Sequence, residues 1–168
     1  MITPQRLLTS AISGVIAVTS LLAPIQAQER SPSATSAARS SVHPTPALSP
    51  KQVVLIQLNA MASNDTPTRD AGIAIVYRFA SPANRAQTGP LPRFKRMIHS
   101  GYQVMLNHTS AQLGTLQRED GHAAVNVFLV ASDGKRVGFR FFLSKQAEGE
   151  YRGCWMTDAV IPIEAEII

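Results

Sequence analysis

The hydrophobic period of this chain changes once. Between Ser49 and His99 apolar residues recur at helical spacing, and from about Ser110 they alternate as they do in strands. A helix-then-strand order has few packed solutions. The predicted class is α+β, with N-terminal helices on one face of an antiparallel four-stranded sheet. Ser49 opens the helical part: it caps a helix, Pro50 suits the first helical position, and Gln52 falls three residues after the cap. Val54, Leu55, Leu58 and Met61 then form a stripe that Asn64 and Asp65 interrupt. Thr66 and Pro67 start a second helix, with Asp70 near its positive end and Ile73, Val76, Tyr77 and Ala80 on its apolar side. Gly72 weakens the first half of that helix.

Ser81 to Arg85 reads as a turn or a single helical turn, closed by Thr88, Gly89 and Pro90. A third helix spans Leu91 to His99, with Leu91, Phe94, Met97 and Ile98 inward, and Gly101 ends it. Tyr102, Val104, Met105 and Leu106 form a linker over the core, and the polar residues Asn107, His108 and Thr109 close it. Four strands follow. The first runs from Ala111 to Leu116 and is interrupted by Gly114, and the second runs from Ala124 to Val130 after the Asp120-Gly121 turn. Asp133-Gly134 gives the clearest hairpin signal. In the third strand Val137, Phe139, Phe141 and Leu143 alternate with Gly138, Arg140, Phe142 and Ser144. Tyr151 to Val160 forms the fourth strand, ending near Pro162. Phe142 falls on the polar face, where it either covers a second apolar cluster or lines a pocket.

The segments before Ser49 have another character. Arg6 precedes an apolar run from Leu7 to Leu22, Pro24 breaks that run, and Ile25-Gln26-Ala27 offers a cleavage site. The run is shorter than the roughly 20 residues of a spanning helix, so residues 1–27 are expected to be a cleaved signal peptide. The expected location is an exported compartment: periplasmic, thylakoid-lumenal or extracellular. Residues 28–48 are rich in Ser, Ala, Pro and Thr and read as a flexible leader. The single domain is then residues 49–168.

Composition narrows the function classes. The formal net charge is +5, yet the basic residues are scattered among acids rather than gathered in a stripe, so a nucleic-acid partner is not expected. Cys154 is the only cysteine, which excludes an intrachain disulfide and a multi-cysteine zinc site. Its setting between Gly153 and Trp155 points to burial. No histidine pair has the spacing of a helical zinc motif, no serine sits in a nucleophile elbow, and no phosphate-binding glycine loop is present. No metal, cofactor or catalytic residue is therefore assigned.

Four segments carry a resemblance. They are Phe79-Ala80-Ser81-Pro82-Ala83-Asn84-Arg85, Phe94-Lys95-Arg96-Met97, Gly101-Tyr102 and Gly153-Cys154-Trp155-Met156. Together they resemble a family of exported bacterial and plastid-related proteins catalogued as the domain of unknown function numbered 4864, over roughly Ser49 to Pro162. The resemblance implies a cone-shaped α+β fold like that of nuclear transport factor 2, with the helices packed on a curved antiparallel four-stranded sheet. It implies no catalytic residues. The chain departs from the commoner pattern where Gln103 leads to Val104 without a proline, and in the longer linker from Asn84 to Pro90.

Such a cone encloses a cavity between helices and sheet, and aromatic lining with a few polar groups would make it a ligand site. The pocket candidates are Tyr102, Arg140, Phe142, Trp155 and Asp158. Arg140 is expected to face solvent. If it turns inward it needs a partner, and Asp158 on the neighbouring strand is the first to consider. Three functions are open: a non-catalytic module for a small molecule or protein partner, a cavity enzyme using Asp158 and His108 as acid and base, and a subunit dimerising through its sheet. His108, between Asn107 and Thr109, is expected to be exposed.

Overall fold

A computed structural model describes residues 42–164. The signal-like segment 1–27 and the first part of the leader lie outside the described residues. Helix α1 (Pro50–Ala62) begins as its sequence predicts. The Ser49 hydroxyl accepts from the Gln52 backbone N–H at 3.3 Å, and the Gln52 side chain accepts from the Ser49 N–H at 2.8 Å. Two backbone donors are thereby satisfied at a helix start. The buried face carries Val53, Val54, Gln57, Leu58 and Met61, whereas Leu55, placed on the stripe by its spacing, is 36% exposed.

Helix α2 (Ala71–Phe79) starts later than expected. Residues after Ala62 form turns, and Asn64 caps the helix from a distance, its Oδ1 accepting from the Ile73 N–H at 3.1 Å. Asp70 sits in the left-handed region with φ 60° and makes no side-chain cap. Gly72 has a positive role: a Cβ there would overlap the Ala60 carbonyl oxygen, so its absence lets α2 cross close against α1. Helix α3 (Pro82–Thr88) is longer than the single turn expected. Helix α4 (Leu91–Gly101) buries Phe94 and Ile98. A 3₁₀ turn at Gln103–Met105 carries the chain to the sheet.

The strands are β1 (Ser110–Leu113), β2 (Gln117–Glu119), β3 (His122–Val130), β4 (Arg136–Lys145) and β5 (Trp155–Ile163). All pairings are antiparallel, in the order β1-β3-β4-β5, and β2 also pairs with β3. The first expected strand ends earlier, at Leu113, and β2, which was not expected, follows it along the same edge of β3. Between them Gly114 donates its N–H to Asn126 O at 2.8 Å. The Asp120-Gly121 and Asp133-Gly134 turns sit where expected, each glycine at positive φ.

One sheet face carries Ala123, Val125, Val127 and Leu129 from β3 and Phe139, Phe141 and Leu143 from β4, all buried. The helices pack there with Leu58, Ile73, Phe79 and Phe94 in the same core. Residues of alternate parity, among them Phe128, Arg140 and Phe142, point to the other face and are half-buried. Edge strand β5 is covered locally: the Ser81 N–H reaches Thr157 O at 2.8 Å, and the Tyr102 hydroxyl donates to Val160 O at 3.0 Å. Val42 and Leu48 also pack against the core, and Arg78 Nη1 donates to Val42 O at 2.7 Å. The end of the expected leader thus belongs to the packed part.

Candidate functional site

A hollow of about 190 Å³ lies between the helices and the sheet. Its apolar walls include Val76, Phe94, Met97, Ile98, Met105 and Phe141. Polar groups reach it from three elements: Gln57 on α1, Asn84 on α3, and Thr157 on β5. Each has a local reason for its place. Gln57 lies four residues from both Val53 and Met61, so helical geometry puts it on the buried stripe. Asn84 is in the first turn of α3, which the Ser81 hydroxyl caps by accepting from the Asn84 N–H at 3.2 Å. Thr157 opposes Leu143 on the inner face of the sheet.

These groups bond to one another. Gln57 Nε2 donates to Val53 O at 3.2 Å and to Thr157 Oγ1 at 2.8 Å. Asn84 Nδ2 donates to Thr157 O at 3.2 Å. Two acceptors around Nε2 fix the orientation of the Gln57 amide. Its Oε1 is left buried with no hydrogen-bond donor among the described residues. A buried acceptor in that state costs stability, about 1–3 kcal/mol.

The five expected pocket residues are not gathered in one place. Tyr102 and Asp158 line the hollow. Trp155 is buried at the start of β5 with the Arg118 guanidinium 4.9 Å from its ring centre. Phe142 and Arg140 are on the opposite sheet face. There Arg140 stacks over the Phe142 ring at 5.4 Å and donates from Nη2 to Gln117 Oε1 at 2.7 Å. Arg140 faces Ile161 on β5, not Asp158, and the pairing of β4 with β5 shifts between Phe142 and Leu143. That shift leaves Asp158 without an opposite number on β4, and its Oδ1 accepts from Ser144 Oγ at 3.0 Å. Phe142 lines a more open depression with Gln117, His122 and Ala124, which Asp158 also borders.

His108 is a correction. It is 6% exposed, and its Nδ1 lies 2.8 Å from Met105 O. The tight turn after Met105 folds the ring back onto the backbone, which removes it from solvent. His108 is absent from the lining of the hollow, whereas Asp158 is part of it. Cys154 is buried, and burial raises its thiol pKa, which disfavours the reactive thiolate.

A family model described as Domain of unknown function (DUF4864) matches residues 47–166. The chain belongs to this family. Comparisons with curated proteins and with solved structures find no match. The DUF4864 match takes in every element from α1 to β5, so the hollow is built wholly from the family domain. Gln57 and Thr157 were the residues that sequence reading passed over. The signal for Gln57 was its position on the stripe, and Thr157 had no local signal.

No group of three or more His, Cys, Asp or Glu among the described residues is placed to hold a metal ion. One polar cluster lies elsewhere. Asp70 Oδ1 is 2.8 Å from His99 Nε2, and its Oδ2 is 3.7 Å from Lys95 Nζ. Burial acts to raise the Asp70 pKa, but hydrogen bonds from His99 and Asn64 and the charges of His99 and Lys95 outweigh it and hold the carboxyl below its ordinary value. The cluster ties the start of α2 to α4.

Proposed function

We propose that this DUF4864 domain is an exported module that binds a small molecule in the hollow between its helices and its sheet, without covalent chemistry on it. The observation that carries the reading is the space of about 190 Å³ between helices and sheet, mostly apolar and bordered by the polar residues Gln57, Asn84, Thr157 and Asp158. Apolar walls with a few convergent polar groups are the usual make-up of a small-molecule site. The reading includes the cone form of nuclear transport factor 2 and export by the N-terminal segment.

Native mass spectrometry of the chain purified from its own host tests it. The expected result is an added mass of a small organic molecule that is lost on denaturation. Recovery without any bound molecule, together with a crystal structure showing only water in the hollow, would overturn it. A second reading has one observation in its favour. Ile161, 45% exposed, and the half-buried Phe128 and Phe142 occupy the sheet face opposite the helices, as a dimerising sheet would require. Sedimentation at high concentration separates the two, since a strict monomer excludes this second role.

A further inference from the structure

The lining of the hollow also sets the charge of its guest, on the premise that the hollow is a ligand site. Asp158 is the one acidic or basic side chain among the described residues that line it. The residue is half-buried, and its carboxylate has a single neutral bond, from Ser144 Oγ to Oδ1 at 3.0 Å. Oδ2 has no hydrogen-bond partner among the described residues, and no Lys, Arg or His nitrogen there lies within 4.0 Å of either oxygen. The sheet edge explains the placement. Leu143 pairs with Thr157 and Phe142 with Ala159, so Asp158 is the extra residue of a bulge. It borders both the hollow and the open depression that holds Arg118, Glu119 and His122. Arg118 is occupied over the Trp155 ring. A half-buried carboxylate without a cation costs stability, and a cation arriving from outside offsets that cost.

The rest of the lining suits the apolar part of such a cation. Phe94, Tyr102 and Phe141 bring aromatic rings, and Met61, Met97 and Met105 bring thioethers. Aromatic faces attract cations, and unbranched methionines adjust to the outline of a guest. The hollow also has hydrogen-bonding capacity to spare near its α3 side. Asn84 Oδ1 has only the 3.4 Å contact from Thr88 Oγ1, and the Gln87 side chain makes no bond among the described residues. Gln57 Oε1 is sealed from any guest and takes no part. An anion would meet Asp158 and no basic side chain in the lining. A cavity of about 150 Å³ with apolar walls accepts a benzene-sized guest, so a space of about 190 Å³ takes a body of roughly one ring.

We propose that the hollow binds an amphipathic amine, its ammonium group at Asp158 Oδ2 and its one-ring apolar body among the methionines and aromatic rings. Calorimetric titration of the full purified chain at about pH 7, where an alkylamine is protonated, tests this with four probes: 2-phenylethylamine, 2-phenylethanol, 3-phenylpropanoate and ethylamine. The phenylethylamine binds tightest. The alcohol binds about tenfold more weakly, as one lost charged contact would give, and the propanoate more weakly again. Ethylamine, which has the charge without the ring, loses at least about tenfold against phenylethylamine. Asp158→Asn brings the amine down to the affinity of the alcohol.

Alcohol or propanoate binding as tightly as the amine overturns the cation assignment and leaves the hollow as a ligand site. Ethylamine binding as tightly as phenylethylamine overturns the inference, because the ammonium then sits at the carboxylate with no body in the hollow. An unchanged amine affinity in a folded Asp158→Asn chain overturns the role of Asp158. If none of the three ring-bearing probes binds, the hollow is not a ligand site and the underlying reading falls with the inference. Melting temperature checks the fold of the variant, and the four-probe comparison on the unaltered chain decides the charge without it.

Discussion

Gln57 spends both of its amide protons inside the core and keeps an oxygen with nothing to accept. Replacing both partners by apolar residues of similar shape removes the unpaired acceptor and the polar bond together. The double substitution Gln57→Leu with Thr157→Val is therefore expected to leave stability unchanged or raise it by about 1 kcal/mol, read by urea denaturation. A loss of more than about 2 kcal/mol would mean the pair is purely structural.

Asp70 is the other residue with a measurable consequence. Its pKa is lowered on folding, so its contribution is present above the unfolded value of 3.8 and is lost as pH falls through the lower folded value. Asp70→Asn is expected to lower the melting point at pH 6, by an amount corresponding to about 1 kcal/mol or less, and the difference from the parent should shrink towards pH 3. Thermal melts of both proteins across that range give the answer. Asp70 was expected near a helix start, and it is there. Its His99 partner, 29 residues on, has no signature in local spacing.

Among the elements, α3 explains the longest segment of the family resemblance. Ala80 bridges Thr157 in parallel, Ser81 donates to Thr157 O and caps α3, and Asn84 donates to the same carbonyl. Arg85 turns back to the end of α2, donating to Tyr77 O at 3.1 Å and Arg78 O at 2.6 Å. Its guanidinium is also 5.2 Å from the Tyr77 ring centre and 5.1 Å from that of Tyr151. The segment thus joins one helix end to the sheet edge and satisfies the helix carbonyls. Arg85→Gln is expected to cost about 2 kcal/mol in chemical denaturation, and Arg85→Lys less, because the charge remains but the planar fork is lost. The sequence read this stretch as a turn because Pro82, Ala83 and Asn84 lack an apolar stripe. α3 buries no residue and is held by capping and side-chain bonds, to which hydrophobic periodicity is blind.

At the scale of the molecule, export is a proposal with a direct check. N-terminal sequencing of the protein recovered from its compartment is expected to start at Gln28, and an intact Met1 would contradict it. No helix of the described residues is long and apolar enough to cross a membrane. The element order, the capping box at Ser49, the two Asp-Gly turns and the inward face of β4 were all legible in the chain. Each is set by residues within a few positions of one another, through propensity and period. The start of α2 was not, because its cap comes from Asn64 rather than from an adjacent residue. Nor was the break between β1 and β2, which only pairing with β3 defines. The hollow belongs to the same class. Gln57 and Thr157 are 100 residues apart, and neither spacing nor composition relates them. They meet because α1 lies across β5, where burial of the apolar face carries a polar residue inward. The sequence by itself determined most of the helix and strand segments, where those choices are local. The tertiary structure alone decided which side chains face the cavity, since the packing that brings distant segments together is not encoded in any one of them.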